Sequence, residues 1–297
     1  MLKPTATTIL VTHKNCLDGT GSALMFVWAG GRRDRILFKN PSGLILKSEE
    51  LASDVEEVWY ADCCPTDLTD PACGRPFKVF DHHISNAQKF DGDLRCTFDM
   101  KRSGTSLMAH VLGLHDDPES YYSATDDLIE ALESYDLGRF DNVAGQRLAD
   151  IAASYSQEEL LDIMIVKDPE EILFNRDLTN RAEALSSVRN LYAQAAARCA
   201  RKVEFHPPGW GEASGTVNAA VAVAPPYWKN AVAEELLKTV ELAIIIDVVG
   251  GMVSFRSRDL DVSSMATAMG GGGHARASGF KANSWDMLRV LMQEVFG

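Results

Sequence analysis

Nowhere in the 297 residues do about 18 apolar residues follow one another, the length a membrane-spanning helix needs, so the sequence offers no such span. The opening "MLKPTATTILVTH" has an apolar run of only three residues, too short for the core of a secretory signal, and a cytoplasmic location is the expectation. The six cysteines, Cys16, Cys63, Cys64, Cys73, Cys96 and Cys199, show no CxxC spacing and no regular framework, and they are read as thiols. Positive charge is also scarce: 29 Lys and Arg stand against 42 Asp and Glu, for a net charge of -13. A protein that grips long nucleic acid needs a basic stripe to displace counterions, so a long duplex is excluded as a partner. Any nucleotide substrate should be small, or held by a local cationic pocket. There is no internal repeat at a solenoid period and no low-complexity tract.

What is present reads as a soluble globular chain, with 46% apolar and 24% charged residues. Its length exceeds what most single cores hold, so two domains are expected. From the start to about residue 140, short apolar strands alternate with helical segments, the pattern of a parallel sheet wrapped by helices. The strand candidates are Thr7 to Thr12, Arg35 to Phe38, Val58 to Ala61, Phe77 to Phe80 and Leu94 to Phe98. Helical text follows, and after "HPPGW" strands and helices resume, closing with a helix in "SWDMLRVLMQEVF". The expected fold class is α/β: a parallel-sheet N-terminal domain over 1–150, a helical connector over 151–203, and a smaller α/β domain over 204–297.

Three of the strands end in polar text: "VTHKN" after the first, "YADCCP" after the third and "FDHHIS" after the fourth. Open α/β sheets bind ligands outside the carboxyl ends of their strands, so these ends can meet in one crevice. His13, Asp18, Asp62, Asp81, His82, His83 and Asp136 are the ionisable groups placed there or just after a helix. Imidazole with carboxylate is the ligand set of manganese, iron or zinc in hydrolytic sites, and Asp62 is the choice for a carboxylate shared between two ions. Taken singly, several have plainer readings: Asp18-Gly19 is a turn signal, and Asp136 in "ESYDLGRF" suits a helix stop with a glycine cap. His82 and His83 beside Asp81 resist that treatment, because adjacent imidazoles at a buried strand end are expensive to satisfy without a charged or metallic partner. Cys16 is the anomaly, standing two residues before Asp18 where a second carboxylate would be usual.

In the second half, "MGGGGHARASGF" (Met269 to Phe280) exposes backbone N–H groups at glycines that include Gly272 and Gly273, with His274 and Arg276 at the rim. Just before it, "VSFRSR" sets Arg256 and Arg258 on the same strand face as Ser254, with Ser257 between them, which suggests a phosphate pocket. His110 and His115 on an apolar helix are read as packing or surface residues. Tyr227 and Trp228 in "PPYWKN" are read first as packing their loop, with base stacking the minority reading.

In order and spacing, "THKNCLDG", "YADCCP", "FDHHIS", "ESYDLG" and "GGGGHARASG" resemble the DHH phosphoesterase superfamily with its DHH-associated C-terminal domain. That group holds nanoRNases, phosphatases of 3',5'-bisphosphonucleotides, relatives of the RecJ exonucleases, and phosphodiesterases of linear and cyclic dinucleotides. The resemblance spans nearly the whole chain and implies a metal-dependent phosphoesterase with a catalytic and a substrate-binding domain. It implies one or two Mn2+ ions, with Mg2+, Co2+ or Zn2+ as substitutes, and a short oligonucleotide or dinucleotide as substrate; it leaves room for a homodimer and requires no membrane. By position, His13 corresponds to a ligand of the first metal, Asp18, His82 and Asp136 to ligands of the second, and Asp62 to the bridge. Asp81 corresponds to the carboxylate that orients the site from behind, and His83 to the contact with the scissile phosphate. Arg256 and His274 fall where relatives hold the substrate's other phosphate, with Ser257 or Arg258 assisting. Most members carry an aspartate at Cys16, so the thiol is either a ligand or a neutral group that leaves the first ion, shared by His13 and Asp62, weakly held.

Overall fold

The computed structural model describes residues 1–41, 43–114, 124–139, 142–206 and 215–282, with the side chain of Tyr227 also set aside. The chain divides into two compact units, Met1–Glu183 and Ala184–Gly297. The first contains β1 (Thr8–His13), α1 (Leu17–Trp28), β2 (Ile36–Lys39), β3 (Glu57–Ala61), β4 (Phe77–Asp81), α2 (Ile84–Lys89), β5 (Cys96–Phe98), α3 (Gly104–Leu112) and α4 (Ala124–Asp136). It continues with α5 (Val143–Ala152), α6 (Gln157–Ile165), α7 (Pro169–Phe174) and the start of α8 (Arg176–Cys199).

The five strands of this unit are all parallel, in the order β2-β1-β3-β4-β5. Parallel strands covered on both faces need near-continuous apolar text, and "TILVT", "VWYA" and "KVF" supply it. The order reverses direction between β1 and β3, and such a switch point opens a crevice at the carboxyl ends of the strands. Register then aligns the chemistry. Thr12 pairs with Ala61, and Ala61 pairs with Phe80. His13, Asp62 and Asp81 therefore arrive together at the mouth of that crevice.

One face of the sheet is sealed by α1, α3 and their neighbours around Leu24, Met25, Phe26, Leu107 and Met108, all almost fully buried. Trp59 anchors this face, edge-on to Phe26 at 6.0 Å and to Phe80 at 5.6 Å, a geometry that suits the ring quadrupoles. The opposite face packs Val11, Val58, Tyr60 and Val79 with Cys63 and Cys64, and all six cysteines are free thiols. Leu148, Ile151, Leu160, Leu161, Met164, Ile172 and Leu173 belong to the first core. The segment expected as a connector is thus divided at Glu183, and its part up to there belongs to the first unit, where the apolar stripes of α6 and α7 complete the core.

The second unit carries β6 (Arg201–Phe205), β7 (Val217–Val223), α9 (Lys229–Leu236), β8 (Leu242–Asp247), β9 (Met252–Arg256), α10 (Ser263–Ala268), β10 (Gly272–Gly273) and β11 (Ala277–Lys281). Its six-stranded sheet runs β10-β11-β9-β8-β7-β6, with β7 and β8 parallel and the other pairs antiparallel. The helix expected in "SWDMLRVLMQEVF" and the residue His115 lie outside the described residues. Among the described residues, no helix is long and apolar enough to cross a membrane.

Candidate metal centre

His13 ends β1, and the loop from Lys14 to Cys16 turns the chain back into α1 through Asn15 in the left-handed region at φ 57°. Cys16 opens α1 and Asp18 sits in its first turn, fully buried. The Asp18 carboxylate accepts from the backbone N–H of Gly104 at 2.6 Å and of Thr105 at 2.9 Å. These are N–H groups of the first turn of α3, which have no partner inside their own helix and favour an anion. Asp62 follows β3 with φ 55°, a left-handed conformation that aspartate tolerates better than most residues, and its backbone N–H donates to the carbonyl of Phe80.

Around Asp62 the side chains converge. His82 Nε2 lies 3.0 Å from Asp62 Oδ1, 3.5 Å from Asp18 Oδ2 and 3.7 Å from Asp136 Oδ2. His13 Nδ1 lies 3.4 Å from Asp62 Oδ2, and these two buried atoms make no hydrogen bond. Among the groups of ligand atoms that result are His13 with Cys16 and Asp62, and Asp18 with His82 and Asp136, each gathered within 4.8 Å. Asp62 belongs to the first and touches the second. Gly104 makes room for this: a Cβ there would stand 2.5 Å from the Asp62 Cβ and 2.8 Å from Asp18 Oδ2.

The Asp81 carboxylate adjoins that cluster, one ligand atom each of Asp62, Asp81, His82 and His83 lying within 4.8 Å of one another, and it takes several donors. Its carboxylate accepts from the backbone N–H of His82 at 2.8 Å, from His83 Nδ1 at 2.8 Å and from Asn86 Nδ2 at 2.6 Å. The bond to His83 Nδ1 fixes the tautomer and leaves Nε2 as the ring's outward nitrogen, on a side chain that is 26% exposed.

The electrostatics follow from crowding carboxylates away from water. Burial, reinforced by Asp62 and Asp136, pushes Asp18 up to about 7, and burial with Asp62 raises Asp136 as well. Asp62 is also desolvated, but the His82 hydrogen bond and the nearby charges of His13 and His82 win and hold it below the usual carboxylate range. Desolvation would lower His13, His82 and His83, yet the facing carboxylates raise all three. Burial and the three nearby carboxylates lift Cys16 well above an ordinary thiol, so it is neutral here. Three carboxylates, two imidazoles and a thiol around one point, with His13 Nδ1 and Asp62 Oδ2 lacking hydrogen bonds, are a donor set that fits a divalent cation.

In the second unit the residues singled out from the sequence are held by the fold in different ways. Arg256 is buried and donates to Asn230 Oδ1 at 3.2 Å, to the carbonyl of Phe255 at 2.8 Å and to that of Ser278 at 3.3 Å. The Ser257 hydroxyl donates to the carbonyl of Glu241 at 2.7 Å and accepts from the N–H of Leu260. Arg258 lies beyond the end of β9 and is exposed, so the strand alternation expected to align it with Ser254 stops at Arg256. Gly272 and Gly273 form β10, and Gly273 at φ 136° has no room for a Cβ, which would meet the Ala277 carbonyl at 2.7 Å. His274 is half-buried and closes this hairpin through its backbone, while Arg276 is exposed. Trp228 packs on Tyr192, with ring centroids 4.9 Å apart. His110 is exposed on α3.

Sequence reasoning passed over four participants. Gly104 with Thr105 holds Asp18, Asn86 holds Asp81, and Gln157 holds the loop between His13 and Cys16. The small-residue start "SGT" before an apolar helix was a readable sign of close packing, whereas Asn86 and Gln157 carry no such sign.

Neither a family model nor a curated protein sequence matches the chain. Among solved structures, it is similar over most of both chains to an uncharacterized protein from Helicobacter pylori G27 (14% identity, TM-score 0.43, covering 98% of this chain and 99% of the other). It is also similar to a pGpG-specific phosphodiesterase from Vibrio cholerae (13%, TM-score 0.43, 97% and 98%). A third is an exopolyphosphatase-related protein from Bacteroides fragilis (14%, TM-score 0.46, 98% and 92%). Likenesses this weak in identity and superposition carry no argument about activity.

Proposed function

We propose that the protein is a metal-dependent phosphoesterase that hydrolyses phosphodiester bonds of short oligonucleotides or dinucleotides. The observation that carries this reading is the position of Asp62, which touches His13 on one side and His82 on the other and so can serve two ligand groups at once. His13, Cys16 and Asp62 would hold one cation, and Asp18, Asp62, His82 and Asp136 the other, with Mn2+ the first choice. A divalent cation held by these residues would supply positive charge to a phosphoryl oxygen and would ease deprotonation of a nucleophilic water.

The protein's own groups do the rest. Asp81 keeps the Nδ1 proton of His83 in place and so orients the ring, whose Nε2 edge would meet a phosphoryl oxygen. The α3 N–H groups hold the Asp18 carboxylate so that it need not reorganise when charge develops. The net charge of -13 favours small substrates over long nucleic acid.

The test is a rate comparison with Mn2+ across a 5'-phosphorylated dinucleotide, a cyclic dinucleotide and a nucleoside 3',5'-bisphosphate. The linear dinucleotide should be turned over fastest, and Asp62→Asn, which keeps a residue tolerant of φ 55°, should cost about a thousandfold or more. Faster cleavage of the cyclic or bisphosphate substrate would reassign the specificity. Tight binding without turnover of any of them would make the protein a nucleotide-binding module.

A further inference from the structure

Gln157 is the first residue of α6, 9% exposed, and its amide reaches 137 to 144 positions back along the chain. Its Oε1 accepts from the backbone N–H of Asn15 at 2.7 Å. Its Nε2 lies 2.9 Å from the carbonyl of His13, 3.0 Å from that of Cys16 and 3.1 Å from Thr20 Oγ1, two protons shared among three acceptors. Thr20 Oγ1 spends its own proton on the Cys16 carbonyl at 2.9 Å, so its lone pair is open to the amide. The neighbours themselves fix which end of the amide is oxygen, because one faces an N–H and the other faces carbonyls.

We propose that Gln157 is a positioning residue for the candidate metal centre: it locks the His13–Cys16 loop so that both side chains turn toward Asp62. The proposal rests on reading His13, Cys16 and Asp62 as cation ligands. The physical case is complementarity. The loop must place Asn15 at φ 57°, a left-handed conformation with a free-energy cost, and it turns the Asn15 N–H and the His13 and Cys16 carbonyls toward Gln157. A primary amide satisfies all three at once, whereas a carboxylate has no donor for the carbonyls and an ammonium has no acceptor for the Asn15 N–H. Losing the amide would take this partner from the Asn15 N–H and the His13 carbonyl, while the Cys16 carbonyl keeps Thr20, and would free the loop to relax, moving His13 and Cys16 away from Asp62.

Two variants separate positioning from packing. Gln157→Met keeps length and burial and removes every hydrogen bond, and Gln157→Glu keeps the acceptor for Asn15 and removes the donors. Two measurements are made on the full chain: Mn2+ affinity by titration calorimetry, and hydrogen exchange of the Asn15 amide without metal. Both variants should bind Mn2+ about tenfold or more weakly, and Gln157→Met should exchange the Asn15 amide at least about tenfold faster. Values within about twofold of the parent on both measurements, in a variant that unfolds cooperatively, would overturn the proposal. If the parent chain itself binds no Mn2+, the metal reading fails, and Asn15 exchange alone then decides whether Gln157 holds the loop.

Discussion

Cys16 offers the first ligand group a neutral, half-buried thiol, where a carboxylate would bring a full charge and a hard oxygen. Mn2+ prefers oxygen and nitrogen, so the thiol is the weakest part of that group. Cys16→Asp should therefore raise Mn2+ affinity about tenfold, while Cys16→Ser should leave it nearly unchanged. Calorimetric titration reads both. A large loss in Cys16→Ser, or a thiolate charge-transfer absorption when Co2+ is added to the parent protein, would show instead that the sulfur is a strong thiolate ligand and not the weak one of the group. The same substitution tests the fold, because a fourth carboxylate beside Asp18, Asp62 and Asp136 adds repulsion that only a bound cation relieves. Cys16→Asp should accordingly melt lower than the parent in a chelator and regain that loss in Mn2+.

At the scale of elements, the first turn of α3 is the part of the scaffold most closely fitted to the cluster. Ser103 caps it and accepts from the N–H of Ser106, while Gly104 and Thr105 turn their N–H groups to Asp18. A methyl group at Gly104 would press on Asp62 and Asp18 together, and neither can retreat, since one is anchored to β3 and the other to α1. Gly104→Ala should cost about 1–3 kcal/mol in urea unfolding and about a hundredfold or more in turnover. Turnover near the parent value would mean that the carboxylates tolerate displacement. These elements also show what could be read beforehand. Strands were legible because apolar text such as "TILVT" stops abruptly at His13, and "KVF" stops at Asp81, so both the sheet and its polar rim were visible. Gln157 was not legible, because "SQEE" reads only as a helix start, and its role exists only once α6 packs against a loop more than 140 residues away. Arg258 failed for a related reason: the period of two that aligned it with Ser254 is a property of strands, and β9 ends before it.

For the whole molecule, the buried charges make stability depend on pH in a direction that the cation should reverse. Asp18 is raised to about 7 in the folded state, against about 3.9 unfolded, so between those values the folded chain holds a proton that the unfolded chain has lost. Its contribution therefore falls as pH rises through that window. His13, His82 and His83 are raised above about 6.5, so the stability they add is complete below that value and is lost as pH climbs through their folded values. Asp62 and Asp81 act oppositely: both are held low, Asp81 at about 2, so their contribution is present above about 3.9 and disappears only in stronger acid. Without metal, the first unit should be most stable in mildly acidic solution. Its melting temperature should drop by about 3 °C or more from pH 6 to pH 8.5, read by calorimetry in a chelator. Mn2+ needs deprotonated ligands, so the stabilisation it brings should grow over that same interval. A metal-free melting temperature that rises from pH 6 to pH 8.5, with no growing gain from Mn2+, would mean that the carboxylates do not repel one another across the Asp62 cluster, and the physical ground for placing a cation there would be gone.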